Sequence, residues 1–231
     1  MHGKKVAIVQ SSYVPWKGYF DLIHAVDEFI LFDDAQFTRR DWRNRNLIKT
    51  AHGPRWLTIP VLSKGRFLDP IKDITVGDRA WNVRHWNVIS ATYAAARFFP
   101  DYEAVVRDLY LGATESRLSA INFRFIEAIC RLLGIRTRLS WSMDYRLAEG
   151  KTQRIVSLCQ QAGGSTYLSG PSARGYLDAE PFARAGIELV FFDYAGYPPY
   201  EQLYPPFSHQ VTILDLLFHT GPRAPQHMLT F

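Results

Sequence analysis

The sequence predicts an α/β fold, a mostly parallel sheet of the nucleotide-binding type with a helical middle section. Three observations carry this. The chain opens on a continuous apolar run, Val6-Ala7-Ile8-Val9, followed by a polar loop, apolar residues at helical spacing and a second run, Phe29-Ile30-Leu31-Phe32. That is the strand, helix, strand order of a parallel pair. In the middle of the chain apolar residues recur at three- and four-residue steps, and beyond it short apolar runs again alternate with helical patterns.

Taken in order, Val6 to Val9 is the first strand, Gln10 to Gly18 a polar loop, and Tyr19, Phe20, Leu22, Ile23 and Val26 mark the first helix. Phe29 to Phe32 is the second strand and ends in Asp33-Asp34. Arg39, Arg40, Arg43, Arg45 and Lys49, interleaved with Trp42, Asn44 and Asn46, read as an extended basic loop. Trp56 to Val61 reads as a strand, with Pro60 arguing for an edge or a strand end, and Ile71 to Val76 as another. Helices are expected over Trp81 to Phe99, Tyr102 to Leu111 and Leu118 to Leu133, punctuated by Pro100, Gly112 and Gly134. Arg138 to Ser142 looks like a strand, and a helix capped by Thr152 runs to Gly163-Gly164. Thr166 to Leu168 is a short strand, Ser169 to Ser172 a turn, Asp178 to Ala185 a helix and Ile187 to Phe192 a strand; a Pro- and Tyr-rich tail closes on the amphipathic Val211 to Phe218. No repeat or linker divides the 231 residues, so one α/β domain over 1–231 is expected, with a helical insert at about 79–134.

Composition narrows the function. Apolar residues at 47% and charged residues at 21% exclude a disordered or low-complexity chain. Cys130 and Cys159 fall inside apolar helical patterns, as core thiols of a reducing compartment, and no metal framework is visible. The opening apolar run is too short for a secretion signal and no run reaches membrane length, which points to a cytoplasmic protein without a membrane span. Lys and Arg total 27 against 22 Asp and Glu, a net charge of +5 that favours an anionic partner such as a nucleotide, a phosphorylated substrate or RNA. An aromatic content of 14% suits walls for a flat or sugar-like ligand, although core packing explains many of these residues equally well.

In open parallel sheets ligands collect at the carboxyl ends of strands. Three segments should therefore meet: Gln10 to Gly18, Asp33-Asp34-Ala35-Gln36, and Ser169-Gly170-Pro171-Ser172. The opening loop lacks the Gly-rich dinucleotide fingerprint and the P-loop lysine, which argues against a dehydrogenase or a P-loop hydrolase. Asp33 and Asp34 could hold a magnesium-bound phosphate or ribose hydroxyls, or cap the strand end and form a salt bridge; a functional role is expected for one of the two. The arginines offer bidentate donors to phosphate. His24 and His85 lie in helical patterns as surface or core residues, while His209, after a Pro-rich loop, is an acid/base candidate.

Four ordered segments carry a resemblance: Val6 to Asp21, Phe32 to Phe37, Arg43-Asn44-Arg45-Asn46 with Lys49-Thr50, and Tyr167 to Pro171 with Tyr176-Leu177. Together they resemble the WbqC-like protein family over nearly the whole chain, departing at Ser11-Ser12, where many relatives have Pro-Asn or similar. The family is named from bacterial O-antigen gene clusters, and its members also occur near sugar-modification and natural-product genes. The resemblance implies a transferase adding an amino-acid-derived or acyl group to a nucleotide-linked or phosphorylated amino sugar, in lipopolysaccharide O-antigen or related glycan synthesis. A more distant similarity to the opening of pantothenate synthetase and other HUP-type or Rossmann-like nucleotidyl-transferring enzymes implies the alternative, an adenylylating ligase using ATP and magnesium. Gly18-Tyr19-Phe20-Asp21 stands where that class has a histidine-containing turn. An RNA-binding module is a third reading, supported by the interleaved Arg, Trp and Asn residues.

In the transferase reading Arg43, Arg45 and Lys49, with Asn44, Asn46 and Gln36 beside them, bind the phosphates, and Tyr13 and Trp16 wall the ligand. Gln10 and Asp33 orient the reacting group, Asp34 or His209 accepts the proton of the attacking amine, and backbone N–H groups at Ser169, Gly170 and Ser172 stabilise the oxyanion. Arg43 and Arg45, two positions apart in extended chain, would share a face and both reach a phosphate. The expected partner is a phosphorylated small molecule, with nucleic acid entering only as an aminoacyl-tRNA donor; no signature sets the oligomeric state.

Overall fold

The computed structural model describes residues 3–66 and 68–231 of the chain. Its elements begin with β1 (Lys5–Val9), α1 (Lys17–His24) and β2 (Glu28–Leu31). A hairpin follows, β3 (Arg45–Thr50) and β4 (Gly53–Thr58), and then three helices, α2 (Trp81–Tyr93), α3 (Phe99–Leu111) and α4 (Leu118–Leu132). The chain returns through β5 (Arg138–Trp141), α5 (Lys151–Gln161), β6 (Thr166–Ser169), α6 (Ala179–Arg184) and β7 (Glu188–Phe191), and ends on α7 (Ile213–Thr220) and a 3-10 turn.

Five strands form one sheet in the order β5-β2-β1-β6-β7, all neighbours parallel. The first strand of the chain is central; the sheet grows outward on one side through β2 and β5, then on the other through β6 and β7. This is the order of a Rossmann-like sheet, with its reversal between β1 and β6. A sheet covered on both faces needs apolar residues at every position, which is why β1 and β2 read as continuous runs. Along β1 the side chains alternate: Ala7 joins a large core with α1, α2, α3, α4 and α7, and Val6 and Ile8 join a smaller one with α5 and α6. Fully burying side chains such as Phe20, Phe29 and Phe182 contributes roughly 1.5–3 kcal/mol each. Among the described residues no helix is long and apolar enough to cross a membrane.

Four sequence expectations change. The extended basic segment is not a loop throughout: from Arg45 onward it is β3, paired antiparallel to β4 from Arg45 opposite Thr58 to Thr50 opposite Gly53. Its inward positions Asn46 and Ile48 alternate correctly, but the arginines and Lys49 mask the pattern. Ile71 to Val76 is not a strand. Ile71 and Ile74, both fully buried, are three residues apart and share one side of a 3-10 turn over Ile71–Asp73, and only isolated bridges join Thr75 to Arg117 and Val76 to Val61. The helix expected to run to Phe99 stops at Tyr93, because Pro100 lies in the first turn of α3, where a fixed φ and a missing N–H are tolerated. Helix α5 takes Gly150 as its N-cap, two residues before Thr152.

Candidate functional site

The site is built where β1 and β2 end side by side. Asp33, beyond β2 and fully buried, accepts hydrogen bonds from the backbone N–H of Ser11 at 2.8 Å and from its hydroxyl at 2.7 Å. Asn122 of α4 donates its amide to the Ser11 hydroxyl at 2.9 Å and to the Arg43 carbonyl at 2.9 Å. Arg43 in turn donates to the Ser11 carbonyl at 3.2 Å. Burial pushes the Asp33 carboxyl up to about 6, against the lowering effect of the Ser11 bonds and of the Arg43 charge.

The loop above this network is strained and braced. Val14 has φ +39°, a left-handed conformation costly for a β-branched residue. The Asn46 amide donates to the Val14 carbonyl at 2.7 Å and to the Tyr13 carbonyl at 3.1 Å, and the Tyr13 N–H donates to the Trp42 carbonyl at 2.9 Å. The hairpin thus holds the β1 loop open over a cavity of about 600 Å³.

Val9, Ser12 and Pro15 line one side of that cavity, and Trp42, Arg43 and Asn46 line the hairpin side. The cavity also has an aromatic wall: Trp16 lies 5.2 Å from Tyr194 and 5.6 Å from Tyr197, ring centroid to centroid. Gly18 makes this possible, since a Cβ there would fall 2.3 Å from the Trp16 indole. Tyr197 is fixed by donating to Asp21 at 2.6 Å, with the Lys17 ammonium 4.5 Å above its ring. His209 closes the cavity from the C-terminal segment. Two nitrogens here are buried without a hydrogen-bond partner among the described residues, Arg43 Nε and His209 Nδ1. Asp41 forms an ion pair with Arg43, its carboxylate 3.6 Å from Nε and so longer than a hydrogen bond. Burial, with the Lys17 charge, holds the His209 imidazole below its usual value, so it is neutral at pH 7.

A family model described as the WbqC-like protein family matches residues 10–227. The chain belongs to the WbqC-like protein family. It is also 50% identical over 225 residues to the uncharacterized protein Rv1507c of Mycobacterium tuberculosis (strain ATCC 25618 / H37Rv), a match covering 97% of each chain. No solved structure matches it. The WbqC-like span takes in every residue lining the cavity except Val9.

Of the residues singled out from the sequence of this WbqC-like protein, Trp16, Arg43, Asn46 and His209 line the cavity, and Asp33 lies beneath it. Several stand elsewhere. Tyr13 is a core residue, not a ligand wall: its ring packs edge-on against Trp81 and Phe125, and its hydroxyl lies 2.8 Å from His85 Nδ1 and 3.0 Å from the Tyr110 hydroxyl. Lys49, 3% exposed, donates to Gln202 at 2.8 Å and to the Pro206 carbonyl, tying down the C-terminal segment. Arg45 does not accompany Arg43 into the cavity; its guanidinium lies 4.0 Å over the Trp56 ring and donates to the Arg40 carbonyl. Asp34 pairs with Lys72 and accepts from Ser142 at 2.7 Å, the salt-bridge alternative for that residue. Asn44 donates to the Ile59 carbonyl at 2.9 Å, and the Gln10 carbonyl accepts from Tyr19 at 3.1 Å. Gln36 is exposed and bridges Pro70.

The third loop reaches the site only at its edge. Ser169 is buried with its carbonyl accepting from Phe192 at 2.8 Å, Ser172 is exposed on the turn Pro171–Gly175, and a Cβ at Gly170 would lie 3.9 Å from the Tyr194 hydroxyl. Sequence reasoning missed Ser11, Asn122, Tyr194 and Tyr197. The two tyrosines follow β7, and the carboxyl-end rule that selected the other loops applies to that strand too. Cys130 and Cys159 are free and buried, their thiols pushed up to about 12 and about 11 by burial, as suits core residues.

Proposed function

We propose that the cavity binds a phosphorylated or nucleotide-linked amino sugar and that the protein transfers an acyl or aminoacyl group to its amine. The observation that supports this is that an aromatic wall lines one cavity together with two buried nitrogens that make no hydrogen bond among the described residues, Arg43 Nε and His209 Nδ1, the histidine ring lying 6.0 Å from Tyr197. Trp16, Tyr194 and Tyr197 offer ring faces to a sugar, whose C–H groups pack on aromatic surface while its hydroxyls stay hydrated. Arg43 supplies the charge for a phosphate. In the reaction the amine nitrogen attacks the acyl carbon, an N–C bond forms, the bond to the leaving group breaks, and His209 takes the proton the amine must lose. Asp33 works at one remove, fixing Ser11 and, through it, the Arg43 side chain. Cytoplasmic sugar nucleotides and the O-antigen type of glycan synthesis are the setting this reading implies.

Mass spectrometry tests it. The protein is incubated with nucleotide-linked amino sugars and, in separate arms, acyl thioesters, aminoacyl-tRNA, or amino acid with ATP. The expected result is an acylated sugar in one arm, lost in His209→Ala while binding is kept. Pyrophosphate without sugar acylation in the ATP arm would favour the ligase, and no mass change in any arm contradicts the transferase.

A further inference from the structure

The hairpin displays an aromatic surface that its own folding covers only in part. Its inward residues Asn46, Ile48 and Leu57 are buried, and on the other face Arg45 stands opposite Thr58 and Leu47 opposite Trp56. Trp56 is 40% exposed, and Trp42, which also lines the cavity, is 43% exposed. Their rings lie 5.3 Å apart at 44°, with the Arg45 guanidinium 4.0 Å over Trp56. About two fifths of each indole is thus left in water, apolar area that a ligand could still bury. The flanking chain, Arg39-Arg40-Asp41-Trp42-Arg43-Asn44-Arg45, has four arginines and one acid. Arg40 is held at φ +56°, with its carbonyl accepting from Arg45, so the turn is fixed by contacts.

Indole faces set among guanidinium groups, continuous with a cavity, match one ligand chemistry. A nucleobase stacks on aromatic rings whatever its identity, and arginines take the adjoining phosphate oxygens. An acidic protein surface would be met by the arginines without the indoles. We infer that Trp42 and Trp56, with Arg40 and Arg45, seat an unpaired nucleobase whose phosphates run toward Arg43 and the cavity. This rests on the reading that the cavity takes a phosphorylated sugar, and adds that the phosphate carries a base. The base belongs either to a nucleotide-linked sugar or to a single-stranded RNA end.

Calorimetric titration of the full chain with uridine diphosphate, adenosine diphosphate, glucose 1-phosphate and a single-stranded RNA tetramer tests this. The nucleoside diphosphates should bind at least about tenfold more tightly than glucose 1-phosphate. Trp42→Ala and Trp56→Ala should each weaken nucleotide binding on the order of tenfold in protein that still unfolds cooperatively, with Trp42→Phe recovering most of it. Tyr176→Ala, at another exposed ring, should change nothing. RNA binding tighter than the diphosphates and steeply salt-dependent assigns the base to an RNA end; diphosphate binding without it assigns the base to a sugar nucleotide. Unchanged affinity in both tryptophan variants, equal binding of glucose 1-phosphate, or no binding of any probe overturns the inference. If glucose 1-phosphate still binds through Arg43, the cavity reading survives that loss. If nucleotides bind through the tryptophans but no acylated sugar forms, the transferase reading fails and the base seat stands.

Discussion

Arg43 and Arg45 stand two positions apart and face different surroundings, one the cavity and the Ser11 carbonyl, the other the exposed Trp56 ring. Arg43→Ala should therefore cost on the order of 1.5–3 kcal/mol of affinity for a phosphorylated ligand, read by calorimetry. Arg45→Ala should leave binding of a base-free sugar phosphate unchanged. The buried carboxyl beneath them gives a second prediction. Folded, Asp33 keeps its proton up to about pH 6, whereas an unfolded aspartate loses it near pH 4. Between those values the folded state binds more protons, so this group's contribution makes stability fall as pH rises from about 4 to about 6 and level off above; the size is on the order of 2–3 kcal/mol. Asp33→Asn should remove that slope in urea melts at pH 4, 5, 6 and 7. A wild-type-minus-variant difference that stays flat across the series contradicts a buried titrating carboxyl. Trp16, Arg43 and Asn46 could be picked out as cavity residues because each sits in or beside a polar segment next to a strand, and His209 because it follows a Pro-rich loop. Tyr13 and Lys49 misled for the same reason: their neighbours in sequence are loop-like, but their side chains point into the core, which residue type alone does not reveal.

At the scale of elements, the β1 loop and the hairpin depend on one another through Asn46. Its side chain serves the Tyr13 and Val14 carbonyls and accepts from the Leu47 N–H at 2.8 Å, all while buried. Asn46→Ala leaves these groups unpaired and releases a Val14 conformation that costs roughly 1–3 kcal/mol. A loss of about 2–3 kcal/mol in chemical denaturation is expected, with weakened ligand binding; a loss under about 0.5 kcal/mol would show that the hairpin does not brace the loop. The parallel strands were readable because burial on both faces demands continuous apolar runs. Strand β3 was not, since its outward face carries Arg45 and Leu47 and its buried positions include Asn46 and Lys49, so charge and polarity break the alternation. The segment from Ile71 failed differently: the β-branched Ile74, Thr75 and Val76 read as a strand, whereas the three-residue spacing of Ile71 and Ile74 fits the 3-10 turn that buries both.

For the molecule as a whole, the cavity depends on the C-terminal segment being drawn back onto α1. Asp21, fully buried, accepts from the Tyr197 hydroxyl, from the backbone N–H groups of Leu229 and Thr230 at 3.0 Å each, and from the Thr230 hydroxyl at 2.7 Å. Lys17 reaches the His227 carbonyl at 2.8 Å, and burial lowers its ammonium to about 8. These two residues face the same side of α1, four apart, and hold Tyr197 against Trp16. Asp21→Ala should cost on the order of 3 kcal/mol and loosen the aromatic wall, seen as a lower melting temperature together with weaker ligand binding. In the proposed function Arg43 and the aromatic wall together hold a phosphorylated amino sugar. A calorimetric titration of a nucleotide-linked amino sugar into the wild-type protein and Arg43→Ala at pH 7.5 tests this. Saturable binding to the wild type, weakened on the order of tenfold or more in the variant, is the predicted result; no binding to the wild type, or equal affinity in both proteins, would contradict it.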